Sequence, residues 1–207
     1  MRKNPIRNRR PYKILFSIMI TTFILLLISK ILNRGIDCKP DGARIEEAWK
    51  YVNDHQMDRH ICIMVDYGYP SGCNRLWVWD FDDEEVLLEC PVAHGRGHNS
   101  KRKDPPRFSN EEESWLSSLG KCRIAERYQG RFGTSYRLDG LEESNSNLRK
   151  RAIVIHAYRT VPQQSIFPLP SGRSKGCIMV AQKNMDLIDE YLHDRKDVLL
   201  YTYCSNE

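Results

Sequence analysis

Acidic residues are absent from the first 34 positions of this 207-residue chain, which hold Arg2, Lys3, Arg7, Arg9, Arg10, Lys13, Lys30 and Arg34. That stretch carries +8, so the formal net charge of +5 hides a remainder of −3. A body short of positive charge matches a phosphate backbone poorly, which argues against a nucleic-acid partner. Long apolar runs are also scarce, and a single one excludes a polytopic membrane protein. No internal repeat is present. What the sequence does hold is 41% hydrophobic and 29% charged residues with 10 Tyr, 6 Phe and 4 Trp, too much core-forming material for a disordered chain. At 24.3 kDa this is one domain of ordinary size with an appendage.

The appendage is the one apolar run, Ile14 to Leu32, nineteen residues interrupted by Lys30 and a few hydroxyls. As a helix it covers about 28 Å, close to the hydrocarbon thickness of a bilayer. Its cations lie mostly on the N-terminal side, so the positive-inside rule keeps residues 1–13 in the cytoplasm and sends the body outside. The segment after the run, NRGIDCKP, has no small-x-small cleavage site, and Gly35, Ile36 and Asp37 before Cys38 do not resemble an acylation box, so the span is read as an uncleaved anchor. All seven cysteines then fall on the exported side, where an odd number leaves at least one thiol free or paired between chains.

Beyond a short linker, Asp41 is expected to cap a helix over Ala43 to His55, with Ile45, Ala48, Trp49 and Val52 as its inward stripe. From Ile61 the period changes to two. Strands are predicted at Ile61 to Asp66, Arg75 to Phe81 and Val86 to Val92 as an antiparallel meander, then at Thr134 to Leu138, Ala152 to His156 and Val198 to Tyr203. A second helix, capped by Asn184, is predicted to run to His193 with Ile188, Tyr191 and Leu192 inward. The breaker-rich segment Gly95 to Ser114 has the length of a functional loop or lid.

Chemistry concentrates at two places. His156 ends the apolar strand in RAIVIHAY, and Cys177 follows a Gly- and Ser-rich turn in PLPSGRSKGCIMV, twenty-one residues later. A thiol of ordinary pKa is only a few per cent thiolate near pH 7, so a nearby imidazole that takes its proton makes a nucleophile of it. Gly176 permits a sharp turn, and the backbone N–H groups of Lys175, Gly176 and Cys177 can face a developing oxyanion.

His156 and Ala157, then sixteen residues, then Ser174, Lys175, Gly176 and Cys177 resemble the L,D-transpeptidase signature. VAHGRG at Val92 to Gly97, SSLG at Ser117 to Gly120, the stretch from Ala125 through GTSYRLDGLE, and GRSKGC are similar to the divergent murein L,D-transpeptidase branch, over roughly residues 60 to 204. The resemblance implies a mainly β, sandwich-like fold with a few short helices. It also implies action on peptidoglycan stem peptides outside the cytoplasmic membrane, with no metal or cofactor. By position it makes Cys177 the nucleophile and His156 the general base and acid, oriented by the backbone carbonyl of Ala157. Lys175, Gly176 and Cys177 build the oxyanion hole, with Arg173 and Ser174 of the same GRSKGC motif expected to contact substrate. Among the loop histidines, His94 and His98 are candidates for lining the cleft, and His94 is taken as a substrate contact. The chain departs from the pattern at Ala157, where many members have Gly, at Lys175, where many have His, and at Met179, where Arg or Asn is usual.

The expected organisation is a cytoplasmic tail (1–13), a transmembrane anchor (14–32), a linker with an amphipathic helix (33–60) and a catalytic domain (61–207), in a bacterial cytoplasmic membrane with the domain on the periplasmic or extracellular side. The expected activity is transpeptidation through a Cys177 thioester. The alternatives are L,D-carboxypeptidation on the same fold and a catalytically silent wall-binding scaffold. A papain-like peptidase is disfavoured because there Cys precedes His.

Overall fold

The computed structural model describes residues 16–24, 37–98 and 105–206. It divides into two compact units, Met1–Asp37 and Cys38–Glu207. In the first, residues 16–24 are helical and expose Phe16, Ile18, Met19, Ile20, Phe23 and Ile24. The rest of the expected 14–32 span lies outside the described residues, and among the described residues no helix is long and apolar enough to cross a membrane.

The second unit is mainly β. Strands β1 (Ile61–Asp66), β2 (Leu76–Asp80) and β3 (Glu85–Cys90) form the expected meander. They continue into β10 (Val198–Tyr203), β5 (Gly120–Gly130), β6 (Gly133–Gly140), β7 (Val154–Ala157) and β9 (Ile178–Val180), giving one eight-stranded sheet in the order β3-β2-β1-β10-β5-β6-β7-β9. A separate parallel ribbon joins β4 (His94–Gly95) to β8 (Arg173–Ser174).

Alternation along the central strands feeds two cores. Ile61, Ile63, Val65, Leu76, Val78, Val198 and Leu200 face one side with Met185, Ile188 and Leu192 of helix α2 (Gln182–Leu192). Cys62, Met64, Trp77, Leu199, Tyr201 and Tyr203 face the other, where helix α1 (Gly42–Asp54) supplies Ala48 and Val52. Helix α2 touches β3 at one end of the sheet order and β6 and β7 near the other. Six strand spacings cover about 29 Å in a flat sheet, whereas an eleven-residue helix is only about 16 Å long. The sheet therefore curls around α2, and this curl is the form the expected sandwich takes.

Helix α1 begins as expected, with the Asp41 carboxylate accepting the Ala43 N–H at 2.9 Å. Its apolar stripe packs onto the sheet within the same compact unit. Two details differ from the sequence reading. Trp49 is 42% exposed and rests on Phe81, with ring centroids 5.1 Å apart, because it lies at the margin of the buried stripe. Ala181, not Asn184, is the N-cap of α2. Asn184 lies within the helix, buried, and donates to the Gln163 carbonyl at 2.9 Å, a tertiary bond that local pattern does not reveal.

Candidate active site

Strands β7 and β9 run parallel, with His156 beside Met179 and Ile155 beside Ile178. Extending that register back by one residue sets Cys177 level with Val154, two positions before His156 on β7. Residues i and i+2 share a face of a strand, so the imidazole and the thiol stand on one face, one rung apart. The two groups exchange no hydrogen bond in the resting geometry. The Cys177 thiol lies 3.8 Å from the Ala152 carbonyl oxygen, to which it donates.

His156 is buried and its Nδ1 is 2.8 Å from the Ala157 carbonyl oxygen. A carbonyl only accepts, so Nδ1 carries the proton and Nε2 keeps the lone pair, the tautomer a base needs. Phe132, at the tip of the β5–β6 hairpin, stacks on the ring with centroids 4.6 Å apart and 18° between planes. Burial pushes the His156 pKa below its usual value, against the opposing pull of the Ala157 carbonyl, so the ring is neutral near pH 7. The Cys177 pKa is raised, also by burial first. The Val154 N–H, the Arg151 charge and the Cys177 N–H pull the other way. Thiol and imidazole thus rest as a neutral pair.

Residues 174–177 form a pinned turn. Gly176 has φ +113°. A Cβ there would sit 2.7 Å from Ile153 Cδ1 and 2.8 Å from the Leu116 carbonyl oxygen. The Gly176 N–H donates to Ser174 Oγ at 3.0 Å, and the Gly176 carbonyl accepts from Ser117 Oγ at 3.3 Å. Two expectations change as a result. The Gly176 N–H, one of the three expected to face an oxyanion, is already engaged by Ser174 Oγ. Ser174, expected to contact substrate, is buried and its hydroxyl accepts from the turn. Since the Gly176 carbonyl and the Cys177 N–H belong to one peptide plane, Ser117 fixes the direction of that N–H. The Lys175 ammonium lies 4.1 Å from the Trp115 ring centroid, with the Arg96 guanidinium 4.7 Å from the same ring.

His94 and Arg173 are neighbours in the β4–β8 ribbon. His94 is buried, and its Nδ1 accepts from the Arg75 guanidinium at 2.9 Å. Burial first, then the charges of Arg75 and Arg173, depress its pKa to about 3. With Tyr67, Arg75 and Leu169 it borders a cavity of about 490 Å³, and its ring contacts are with Arg75 and Tyr67 instead of His156 or Cys177. Arg75 is fully buried and donates to the carbonyls of Val92 and Tyr69, a structural bracket between the β1–β2 connection and the chain that follows β3.

The segment read as a lid forms a wall hydrogen-bonded to the body where it is described. Asn147 donates from its backbone N–H to Asn110 Oδ1, and from Nδ2 to the Asn110 carbonyl, both at 3.0 Å. Arg151 donates to the Ser109 carbonyl at 2.7 Å. Residues 99–104 of that segment lie outside the described residues.

Sequence reasoning missed Ser117, Phe132 and Arg151. Ser117 lies inside the SSLG motif that carries part of the family resemblance. Phe132 lies in GRFG, where the close pair of glycines signals a tight hairpin. Arg151 has no comparable local signal, because its partners are 33 to 42 residues away in sequence. Among the described residues no group of three or more His, Cys, Asp or Glu side chains is arranged to hold a metal ion.

Residues 41–203 match the family model described as the L,D-transpeptidase catalytic domain. Among solved structures, the chain is similar to an L,D-transpeptidase from Xylanimonas cellulosilytica, at 12% identity and a TM-score of 0.42, over 74% of this chain and 68% of that one. It is also similar to the helical cell shape determining protein Pgp2 of Campylobacter jejuni, at 13% identity and a TM-score of 0.46, over 69% of this chain and 46% of that one. L,D-transpeptidase 1 of Mycobacterium tuberculosis is similar at 9% identity and a TM-score of 0.37, over 70% and 62% of the two chains. The chain thus spans about half the length of the Campylobacter protein. No curated protein matches it.

Proposed function

The chain belongs to the L,D-transpeptidase catalytic domain family, and from that premise we propose that it is a membrane-anchored acyltransferase acting on peptidoglycan stem tetrapeptides through a Cys177 thioester. The supporting observation is the shared face of His156 and Cys177 on adjacent parallel strands, with Nδ1 of the imidazole bound to the Ala157 carbonyl and Nε2 left to accept a proton.

In this reading the Cys177 thiol turns from the Ala152 carbonyl toward His156 as substrate enters. Its proton passes to Nε2, and the sulfur attacks the carbonyl between the L-centre and the D-centre of the stem peptide. The N–H groups of Cys177 and Lys175 receive the oxyanion. Collapse breaks the C–N bond, and the imidazolium returns its proton to the departing D-amino acid. The remaining acyl group stays on sulfur as a thioester. An acceptor amine, deprotonated by His156, attacks the thioester and restores the thiol. Water in place of the amine gives carboxypeptidation.

The test incubates the full chain, in detergent, with a disaccharide tetrapeptide and a fluorescent D-amino acid. Exchange of the terminal residue is the expected product. Loss of that residue without exchange would replace transfer by hydrolysis, and no consumption of tetrapeptide by folded protein would favour the scaffold. The anchor over 14–32 and the exported body belong to the same proposal. A reporter active only in the cytoplasm should be silent when fused after Glu207, and strong activity would overturn that topology.

A further inference from the structure

Cys177 has a cationic neighbour whose charge is not neutralised. Arg151 spends its guanidinium on four oxygens of one segment. Nη1 donates to the Ser109 carbonyl at 2.7 Å and to Ser118 Oγ at 2.6 Å, while Nη2 donates to the Leu116 carbonyl at 2.5 Å and to Ser114 Oγ at 3.2 Å. All four acceptors are uncharged. No carboxylate among the described residues comes within ion-pair distance of it. A Cβ on Gly176 would lie 3.4 Å from Nη2, so the fork stands against the turn that carries the nucleophile. Ala152, the residue after Arg151, has φ +51°, and its carbonyl is the one that faces the Cys177 sulfur. The strained backbone at Ala152 joins the cation's own residue directly to the nucleophile's resting partner.

We propose that Arg151 is a positioning residue for the nucleophile, fastening the 109–118 wall to the Cys177 turn and holding an uncompensated positive charge beside the sulfur. This rests on the reading of Cys177 as the nucleophile. When the S–H bond breaks, the proton moves to His156 Nε2 and the electron pair stays on sulfur, so a thiolate and an imidazolium replace two neutral groups. The half-buried Arg151 charge favours the thiolate, and its electrostatic contribution offsets part of the burial that opposes ionisation. Other charges border the same depression of about 330 Å³ and act less directly. Lys150 is paired with Glu112 at 2.5 Å, Lys175 lies over Trp115, and Glu113 faces the depression from the wall itself. On the β7 side the facing titratable group is His156.

The experiment measures the rate of Cys177 alkylation by iodoacetamide against pH in the full chain, by mass spectrometry of the Cys177 peptide, for the natural protein, R151K and R151M. Folding is checked by circular dichroism and the melting transition. R151K keeps the charge and is expected to keep the pH profile, while hydrogen exchange over 109–118 rises because an ammonium cannot reproduce the fork. R151M is expected to move the profile up by about one pH unit, about tenfold slower alkylation at pH 7. If R151M does not fold, R151Q takes its place with the same expectation. A folded R151M or R151Q whose profile overlays that of the natural protein overturns the proposal while Cys177 chemistry stands. A natural protein in which Cys177 shows no preferential labelling removes the nucleophile reading itself.

Discussion

At the residue scale, the candidate site is built by committing polar groups in pairs. The Gly176 peptide is held on both sides, its N–H by Ser174 and its carbonyl by Ser117, so the Cys177 N–H has one direction available. Gly176 cannot be replaced without moving backbone, because φ +113° disfavours any side chain and Ile153 and Leu116 fill the space. Gly176→Ala is therefore expected to lower the melting transition by several degrees and to cut Cys177 alkylation at pH 7 by at least tenfold. Alkylation at the natural rate would show that the turn's conformation does not matter to the thiol. Ser117 and Ser174 were recognisable in the sequence as members of motifs, but their roles were not. A hydroxyl that builds a turn and one that meets a substrate read identically until the acceptor is known.

At the scale of elements, the parallel pair β7 and β9 sets the rung spacing between His156 and Cys177, and the β5–β6 hairpin brings Phe132 over the imidazole. Phe132 contributes to the burial that keeps His156 below its usual pKa and so neutral near pH 7. Phe132→Ala is expected to raise the His156 pKa toward 6.5, moving the acid limb of the activity profile to higher pH, as read by imidazole proton shifts in NMR. An unmoved resonance would show that the hairpin tip is incidental. Strands β1 and β10 were legible to the residue, since both are continuous apolar runs with turns at each end. Strand β5 was not. Only its first half, with Cys122 and Ile124, enters the core, and the charged, exposed run from Glu126 to Gly130 gives no period-two signal. The pairing of β1 with β10 was likewise hidden, because parallel contact between the first and last strands leaves no mark in local pattern.

For the whole molecule, buried and half-buried titratable groups tie the sheet to the elements packed around it. Lys121, on β5, reaches Glu47 of α1 at 2.5 Å and Glu142 at 3.3 Å, with Tyr201 beneath it. Burial works against the Glu47 charge, but hydrogen bonds from Lys121, Arg44 and Tyr201 hold its pKa at about 2. Behind the β4–β8 ribbon, His94 is neutral down to about pH 3 while an unfolded chain protonates it near 6.5. Below pH 6.5 the unfolded state therefore binds the extra proton, and stability falls as pH drops through that window. Denaturant unfolding from pH 7 to 4 should show His94→Gln losing less stability than the natural protein over the same range. Parallel losses would show that His94 does not set the acid response. The proposal that Cys177, presented by the pinned turn, carries the acyl group is open to direct observation. The experiment reads the intact mass of the full chain quenched in acid during turnover of a disaccharide tetrapeptide, followed by peptide mapping. The expected result is an added mass equal to the substrate less its terminal D-amino acid, located on Cys177 and absent from Cys177→Ala. Turnover by Cys177→Ala, or an acyl group on any other cysteine, would contradict it.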